Sequence, residues 1–534
     1  MKLKYSTSVT EICNDYSCKV LITRRNYWLP YQVLLDQLEK KITKQNNSAK
    51  FLISTYLGMR ENKRKKEKYT IFKCAKKLLK FNFFSSLIGS TIKFLTLVGN
   101  LEDSRGLKVL TVQDSIIVGD IIAAEYLRSP KYGDGFLKLD LRFYLKYLKY
   151  LILGELLQKD IELLLDTYDK GNIRFCIPET SFVDEMARRI LIANGITHEY
   201  VFNKYKGKMH VFEYASEFEG RALGYTPKLV DITANEFDSA DEKMRARLKT
   251  GKQSWTGNIT DIDTSIHINK ELKRFFPTDA LSAVLCLHAV ADDQFRCGLD
   301  CFRSIDDFHK FTIEQLLELE YQVILKAHPG IISAIHPDKS EIDRRYLEKL
   351  FDSFGLNYNK VLISESQNLH VSSLHNRIYA VKPTVSIGSI YPNIKPLVIT
   401  HHGSVTFETM ALGINILKYK FCKNREFNFC HGWSTREEYV RYLKYFRDHM
   451  ELPDENFSDS YLDVVATLLR RNARTDYNDV FFAVSAKFLP DFPLRKDISD
   501  ITELNSLINA AGKLLNNNSN FREIMELEMD SLLG

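Results

Sequence analysis

Three apolar residues lead directly into a polar turn in Leu397-Val398-Ile399-Thr400-His401-His402-Gly403-Ser404-Val405-Thr406-Phe407-Glu408. The same change occurs in Val323-Ile324-Leu325-Lys326-Ala327-His328-Pro329-Gly330. A short apolar run that ends in such a turn is typical of a buried strand in a parallel sheet. Open α/β sheets bind their ligands outside the carboxyl ends of these strands. Two such strand ends in one half of the chain therefore predict a ligand site there.

Strand-like and helix-like segments alternate along both halves of the chain, which predicts right-handed βαβ units and largely parallel sheets. We therefore predict an α/β fold with two sheets in series. The first domain spans 1–250, the second spans 251–534, and a hinge lies near 231–277. The predicted strands are 19–23, 50–54, 108–112, 173–177, 284–288, 321–326, 360–364, 397–400 and 414–417, and the predicted helices include 31–42, 117–128, 141–168, 502–515 and 521–533.

Length and composition are those of a folded protein. A chain of 534 residues is too long for one hydrophobic core and suits two domains of about 200–250 residues. Nine cysteines without a Cys-x-x-Cys pair, behind a start that lacks an apolar signal segment, indicate a reducing cytoplasm. No metal site is predicted, because the spacing matches no zinc module in the nearest pattern, Cys297, Cys301, Cys422, Cys430 and His431.

The positive charge of the chain is local. The net charge is +6, yet residues 60–80 carry ten Lys or Arg against two Glu, so the remainder is slightly acidic. A local basic patch favours one docking site for an acidic surface over a protein that coats nucleic acid. We therefore expect no nucleic-acid partner.

The segment that follows the basic patch, residues 81–98, is amphipathic. Apolar residues recur near helical spacing, with Ser, Thr and Asn between them. A membrane-spanning helix needs about 20 predominantly apolar residues. A helix in the headgroup layer of an anionic membrane fits this pattern better and predicts a peripheral protein at the inner face of the cell membrane. A core helix behind a solvated basic loop, and a spanning segment, are the alternatives.

The two strand ends of the C-terminal half offer groups for an anionic ligand. Alternation along the strand predicts that Lys326 and His328 share a face. Gly403 would let the backbone approach a ligand, and Ser404 would cap a helix whose free N–H groups attract phosphate. Glu408, one turn further, is available to a ribose or is a solvated residue stabilised by the helix dipole.

Three further residues are candidates for the catalytic chemistry. His288 ends the predicted strand 284–288 and either lines the site or is a structural histidine. Asp120 precedes a helical stretch and is either its N-cap or a general base. Glu179 follows the predicted strand 173–177 and is the second choice for that base. The chain contains no Gly-x-Gly-x-x-Gly, no Walker loop and no Gly-x-Ser-x-Gly, so dehydrogenase, P-loop ATPase and α/β-hydrolase activities have little support.

A series of short motifs resembles bacterial surface-polysaccharide biosynthesis proteins, those that make capsule and O-antigen. Ile117-Val118-Gly119-Asp120-Ile121-Ile122, continued by Glu125-Tyr126-Leu127-Arg128, is similar to their GD-L-I-x-D-x-Y-L-R stretch. Residues 288–293, 326–329, 403–413 and 437–439 resemble their later motifs in the same order. Two departures are Ala124, where the family has an acidic residue, and the pair His401-His402, where small residues are common.

The resemblance implies a glycosyltransferase of the GT-B fold, with two Rossmann-like domains that face a cleft and C-terminal helices that cross back. It implies that His328, Ser404 and Glu408 of the second domain contact a nucleotide-sugar donor. Lys326, His402 and Gly403 are further donor-binding candidates, and no metal or other cofactor is expected, because fixed dipoles and cations would stabilise the leaving group. The acceptor would be a glycan or lipid-linked glycan. A polyol-phosphate (teichoic-type) transferase, a sugar-nucleotide epimerase and a non-catalytic glycan-assembly partner are the alternatives.

Overall fold

The structure is a computed structural model. It describes residues 16–23, 29–55, 58–61, 104–113, 115–127, 137–177, 182–202, 209–213, 262–277, 280–290, 299–332, 337–363, 368–391, 394–403, 413–420, 430–453, 477–489 and 501–532, with smaller pieces at 88–89, 91–92, 238, 242, 295, 405–406 and 409. Of the predicted site residues, Glu179, Ser404 and Glu408 lie outside these ranges. Residues 62–80 of the basic run 60–80, and most of the segment 81–98, lie outside them as well.

The described strands fall into two large sheets and one short hairpin. In chain order they are β1 (Val20–Thr23), β2 (Lys50–Thr55), β3 (Gly58–Glu61), β4 (Thr111–Val112), β5 (Ile116–Ile117), β6 (Ile173–Cys176), β7 (His198–Phe202), β8 (Met209–Glu213), β9 (Ser282–Cys286), β10 (Gln322–Lys326), β11 (Leu369–Val371), β12 (Ile378–Val381), β13 (Leu397–Thr400), β14 (Ile416–Tyr419) and β15 (His431–Trp433).

Helices separate most of the strands. They are α1 (Leu29–Gln45), α2 (Gly119–Leu127), α3 (Leu141–Leu165), α4 (Phe182–Ala193), α5 (Ile262–Phe275), α6 (Ile305–Glu318), α7 (Pro337–Ser353), α8 (Tyr358–Ile363), α9 (Ile387–Ile390), α10 (Arg436–His449), α11 (Tyr477–Phe488), α12 (Ile501–Asn517) and α13 (Ser519–Leu532). Short 3-10 helices occupy Ser104–Val109, Lys170–Asn172 and Pro329–Ile332. The predicted mixed α/β fold with parallel sheets is confirmed.

The first sheet has the order β3-β2-β1-β6-β7-β8. The four inner strands run parallel, and β3 and β8 close the edges as antiparallel partners. Side chains of β1 alternate between two cores, because successive side chains of a strand point to opposite faces. Val20 and Ile22 pack with α2, α3 and α4, whereas Leu21 packs with α1.

The second sheet has the order β11-β12-β10-β9-β13-β14-β15. All neighbours pair in parallel except β11, which forms an antiparallel edge beside β12. The chain builds outwards from β9 to β10 and β12, and then returns to the other side of β9 for β13, β14 and β15. This is the doubly wound order 3-2-1-4-5-6, in which the direction of building reverses between the first and fourth strands. The switch point of this sheet therefore lies between β9 and β13.

Both faces of the second sheet are covered, which explains its continuous apolar strands. On one face, Leu285, Leu325 and Ile399 pack against α6, α7 and α10. On the other, Val284 and Val398 pack against α5 and α9. The start of α6 is capped locally, because the side chain of Ser304 accepts a hydrogen bond from the backbone N–H of Asp307.

Three sequence-based assignments differ from the structure. Residues 360–364, predicted as a strand, fall mostly in α8, and the strand that occupies that place in the sheet is β12. In the predicted strand 108–112, residues 108 and 109 end a 3-10 helix, and only residues 111 and 112 form a strand, β4. The last part of the predicted hinge is α5, which packs on the second sheet.

The C-terminal helices return to the first sheet. Side chains of α11, α12 and α13 share a core with α1, and Lys40 of α1 pairs with Glu526 of α13 at 2.7 Å. The last helices are therefore packed with an element near the start of the chain. In the part of the chain that the structure describes, no helix combines the length and the apolar character needed to cross a bilayer.

The glycine of the Gly119-Asp120 motif is required by close packing. A Cβ at Gly119 would collide with the carbonyl oxygen of Leu107 and would lie 2.9 Å from its carbonyl carbon. We predict that Gly119→Ala lowers the free energy of unfolding by about 1–3 kcal/mol, because the 3-10 helix must move away from α2. Chemical denaturation monitored by circular dichroism measures this change. Gly171→Ala is the control, since nothing lies within 4 Å of a Cβ there; equal losses in both variants would contradict the packing explanation.

Candidate functional site

Three adjacent strands of the second sheet end in histidines at the same edge. His288 follows β9, His328 follows β10, and His401 and His402 follow β13 directly. The strands are in parallel register, with Leu285 of β9 opposite Leu325 of β10 and Ile399 of β13. Parallel register places their carboxyl ends together at the switch point, which is where doubly wound sheets bind ligands.

The predicted residues His288, His328 and His402 form one cluster. The ring centroids of His288 and His402 are 3.7 Å apart, and those of His288 and His328 are 6.4 Å apart. His288 and His328 also line a hollow together with Asp343 and Tyr346 of α7. The structure thus brings together three of the residues that the sequence selected separately.

Asp300 and His401 complete the cluster, and the sequence analysis assigned no role to either. The Nε2 atom of His401 lies 2.5 Å from a carboxylate oxygen of Asp300, and its Nδ1 atom lies 2.6 Å from Nδ1 of His402. All three side chains are buried. The local signal that could have found His401 is its place beside His402 at a strand end; Asp300 is 101 residues away and gives no such signal.

His309 of α6 holds the turn that follows β9 in place. Its Nε2 atom accepts a hydrogen bond from the backbone N–H of His288 at 3.1 Å, so a neutral ring carries its proton on Nδ1, 2.8 Å from the hydroxyl of Tyr346. Burial lowers the pKa of His309 well below its usual value, and the nearby His288 and His401 rings lower it further. A neutral imidazole with a fixed tautomer therefore holds the backbone of His288 in place.

Lys326 and His328 have different neighbours, although alternation predicted a shared face. The amino group of Lys326 donates to the carbonyl oxygen of Pro383, beyond the end of β12, at 3.4 Å. His328 lies beside His288 instead. Strand alternation ends at Lys326, because the chain turns into the 3-10 helix Pro329–Ile332.

Gly403 is exposed at the start of the turn after β13. The nearest atom to an added Cβ would be the Thr400 hydroxyl at 3.5 Å, so packing of the described neighbours does not require glycine here. Residues 405, 406 and 409 are helical, in agreement with the predicted helix start. Among the described residues, no group of three or more His, Cys, Asp and Glu side chains is arranged to hold a metal ion.

Asp120 lies in a buried charge network of the first sheet. It is 1% exposed in the first turn of α2, and both of its oxygens accept hydrogen bonds from Arg189 of α4, at 2.9 and 2.7 Å. Burial lowers the pKa of the Arg189 guanidinium, but the Asp120 and Glu185 carboxylates outweigh this and raise it. The observed pairing ties α2 to α4. A role of Asp120 as general base stays a prediction.

The same network continues to Glu199 on β7. Arg188 donates to Glu199 from Nε at 2.9 Å and lies 3.6 Å from Glu185. Three carboxyl groups therefore share two guanidinium groups away from water. The pKa of Glu199 is raised to about 7, mainly by burial. The charge of Arg188 lowers this pKa, and the nearby Glu185 carboxylate raises it further.

We predict that Glu199 lowers the stability of the folded protein as the pH rises from about 4.5 to 7. In this range the folded protein keeps a proton on Glu199 that the unfolded chain releases, so the free energy of unfolding falls, by at most about 3 kcal/mol. Glu199→Gln should flatten this fall in urea titrations at several pH values. Glu162→Gln, at an exposed carboxyl group of α3, is the control. An unchanged pH dependence in Glu199→Gln would contradict the prediction.

Comparisons with known proteins do not assign the chain to a family. No protein-family model and no curated protein matches the chain. What the site can do is therefore inferred from its own residues, and the resemblance to surface-polysaccharide enzymes stays a prediction.

Proposed function

We propose that the chain is a glycosyltransferase that moves a sugar from a nucleotide-sugar donor to a bacterial capsule or O-antigen acceptor. One observation carries this proposal: His288, His328 and His402 converge where β9, β10 and β13 end at the switch point. Imidazole N–H groups at that edge suit the diphosphate of a nucleotide-sugar, which is the leaving group of sugar transfer. The GT-B arrangement of two facing domains is part of the proposal.

In this proposal, the protein assists the reaction by stabilising charge. Negative charge grows on the diphosphate as the bond to the sugar breaks, and fixed hydrogen-bond donors stabilise it most effectively where water is excluded. His288 and His402 are partly or fully buried, so their orientation is set before the ligand arrives. Asp120 or Glu179 of the first domain would take the proton from the acceptor hydroxyl.

Other activities would use the same anion site. A polyol-phosphate transferase and a sugar-nucleotide epimerase also bind a nucleoside diphosphate group, and product analysis distinguishes them from a sugar transferase. A non-catalytic glycan-assembly partner would need no nucleotide. The histidine cluster favours the nucleotide-binding activities over this last alternative.

An exposed apolar surface supports the proposed membrane association. On α3, Leu141 is 70% and Leu145 is 55% exposed, and Ile88 and Ile92 are 59% and 57% exposed. A hydrogen bond between Thr91 and Tyr144 joins the two groups. Large exposed aliphatic side chains that adjoin each other are typical of an interaction surface.

The charges around this apolar surface suit anionic lipids. Arg142 in the first turn of α3 and Lys138 just before that helix are both exposed. Glu125, the nearby acid on α2, is neutralised by Lys146 and Lys149 at 3.1 and 3.0 Å. Aliphatic side chains flanked by cations bind the interface of an anionic bilayer. We therefore propose a peripheral protein that docks through the start of α3 at the inner face of the cell membrane, close to a lipid-linked acceptor.

The nucleotide prediction is tested by calorimetric titration with UDP, GDP, CDP and CMP. We expect one of them to bind, and we expect His402→Ala and His328→Ala to weaken its binding about tenfold or more, because a hydrogen bond to a charged group is worth about 1.5–3 kcal/mol. His449→Ala, at an exposed histidine of α10, should bind like the wild type. If no nucleotide binds, or if His402→Ala binds it normally, the proposed function is wrong.

The membrane prediction is tested by co-sedimentation with phosphatidylserine-containing vesicles. The double variant Leu141→Gln, Leu145→Gln should partition at least about tenfold less, because burying an aliphatic side chain contributes about 1.5–3 kcal/mol. Leu163→Gln is a matched control: Leu163 is 63% exposed on the same helix, about 33 Å away at 1.5 Å per residue. Equal sedimentation of all three proteins would exclude this docking surface.

A further inference from the structure

Asp300, His401 and His402 form a continuous hydrogen-bonded line that ends at the switch point. Asp300 and His401 are 4% and 3% exposed, and His402 is 8% exposed. One Asp300 oxygen accepts from the backbone N–H of Cys301 and the other lies at His401 Nε2. The Ser104 hydroxyl bonds the backbone of Asp300. The carboxylate is thus fixed at one end of the line, and His402 is at the other end, beside His288. A ligand at the switch point would meet the His402 end, which we call the ligand end.

With one hydrogen between the two rings, the line can be neutral or can carry one additional proton. The Asp300 carboxylate can only accept, so Nε2 of His401 carries a hydrogen. If His401 is neutral, its Nδ1 is bare and the hydrogen between the rings belongs to Nδ1 of His402. A neutral His402 then has a bare Nε2, which is an acceptor and repels phosphate oxygens.

One additional proton reverses the polarity at the ligand end. Three of the four ring nitrogens then carry a hydrogen, and the positive charge is on His401 or on His402. His401 as an imidazolium would donate through both nitrogens, to Asp300 and to His402. Nε2 of His402 would then carry a hydrogen and could donate to a phosphate oxygen.

We propose that this Asp300–His401–His402 line takes up one proton from solvent when a phosphate-bearing ligand binds beside His402. The inference rests on the proposed function, because it requires a nucleoside diphosphate at this edge. The negative ligand and the Asp300 carboxylate stabilise the added charge from opposite ends of the line. His401–His402 is thus a proton-coupled anion switch rather than a pair of fixed cations.

The neighbouring imidazole rings oppose additional positive charge on the line. His288 lies 3.7 Å from His402 between ring centroids, with His328 next to it, and His309 lies close enough to both His288 and His401 for their charges to affect it. Positive charge on any of these closely packed rings is unfavourable until a negative ligand arrives. Among the described residues, Tyr419 of β14 stacks on His401 with ring centroids 5.0 Å apart, and Tyr346 and Asp343 of α7 line the hollow beside His288 and His328. Lys418 of β14 is buried and lies opposite Thr400 in the register of the sheet.

Proton uptake would make affinity depend on pH. Uptake of one proton on binding makes the affinity for the diphosphate fall as the pH rises, by up to tenfold for each unit of pH. A ligand that cannot supply negative charge at this position would not show the effect. The line would therefore select for the charge of the ligand as well as for its shape.

Calorimetric titration of UDP in two buffers of different ionisation enthalpy measures the uptake, with GDP used if UDP does not bind. The measurement is made at about pH 7.5, well above the phosphate pKa of about 6. The difference in binding enthalpy between HEPES and Tris gives the number of protons taken up. We expect a value that approaches one for the wild type and for the exposed control His449→Gln.

Two variants of the line should lose this uptake. Asp300→Asn removes the negative charge that stabilises the added proton, and His402→Gln removes the ligand end but leaves the buried Asp300–His401 pair intact. His402→Gln keeps the test valid if Asp300→Asn does not fold. Binding without proton uptake in the wild type, or full uptake in His402→Gln, would overturn this inference and leave the proposed function standing. Absence of nucleotide binding would overturn both.

Discussion

Parallel pairing of β9 with β10 on one side and β13 on the other is the constraint on which the site depends. The register sets Leu285 opposite both Leu325 and Ile399. Each of the three strands is buried on both faces, so a slip of one residue would exchange the two cores. The same register places His288, His328 and His402 at one edge. Apolar packing inside the sheet thus positions the polar groups outside it.

Polar contacts from outside the sheet hold the histidine cluster in place. The neutral ring of His309 binds the backbone of His288, and the Asp300 carboxylate binds His401. Both partners come from outside the strands, from α6 and from the loop before it. Phe295 of that same loop packs in the core of the first sheet, and Ser104 bonds the backbone of Asp300. Order in the histidine cluster is therefore linked to residues of the first half of the chain.

The first sheet concentrates its charge in the interior rather than at an edge. Asp120, Glu185 and Glu199 surround Arg188 and Arg189, and these side chains connect α2, α4 and β7. A sequence pattern cannot distinguish such a carboxylate from a catalytic one, because both follow an apolar run. Burial and the bidentate contact to Arg189 are what separate Asp120 from an exposed N-cap. The network also explains why a strongly amphipathic α4 carries charged residues on its buried side.

Local patterns in the sequence determined the α/β class, the long helix α3 and the C-terminal helices, because apolar periodicity records which face of an element is buried. They located β1, β2 and β6 of the first sheet and β9, β10, β13 and β14 of the second. They also located His288, His328 and His402 at strand ends. Residues 360–364 show the limit of such patterns. A short apolar run fits a turn of helix as well as a strand, and pairing with neighbouring strands decides between the two. Only the tertiary structure brought Asp300 to His401 and Arg189 to Asp120, since contacts between residues 69 or 101 positions apart depend on how the sheets are wound.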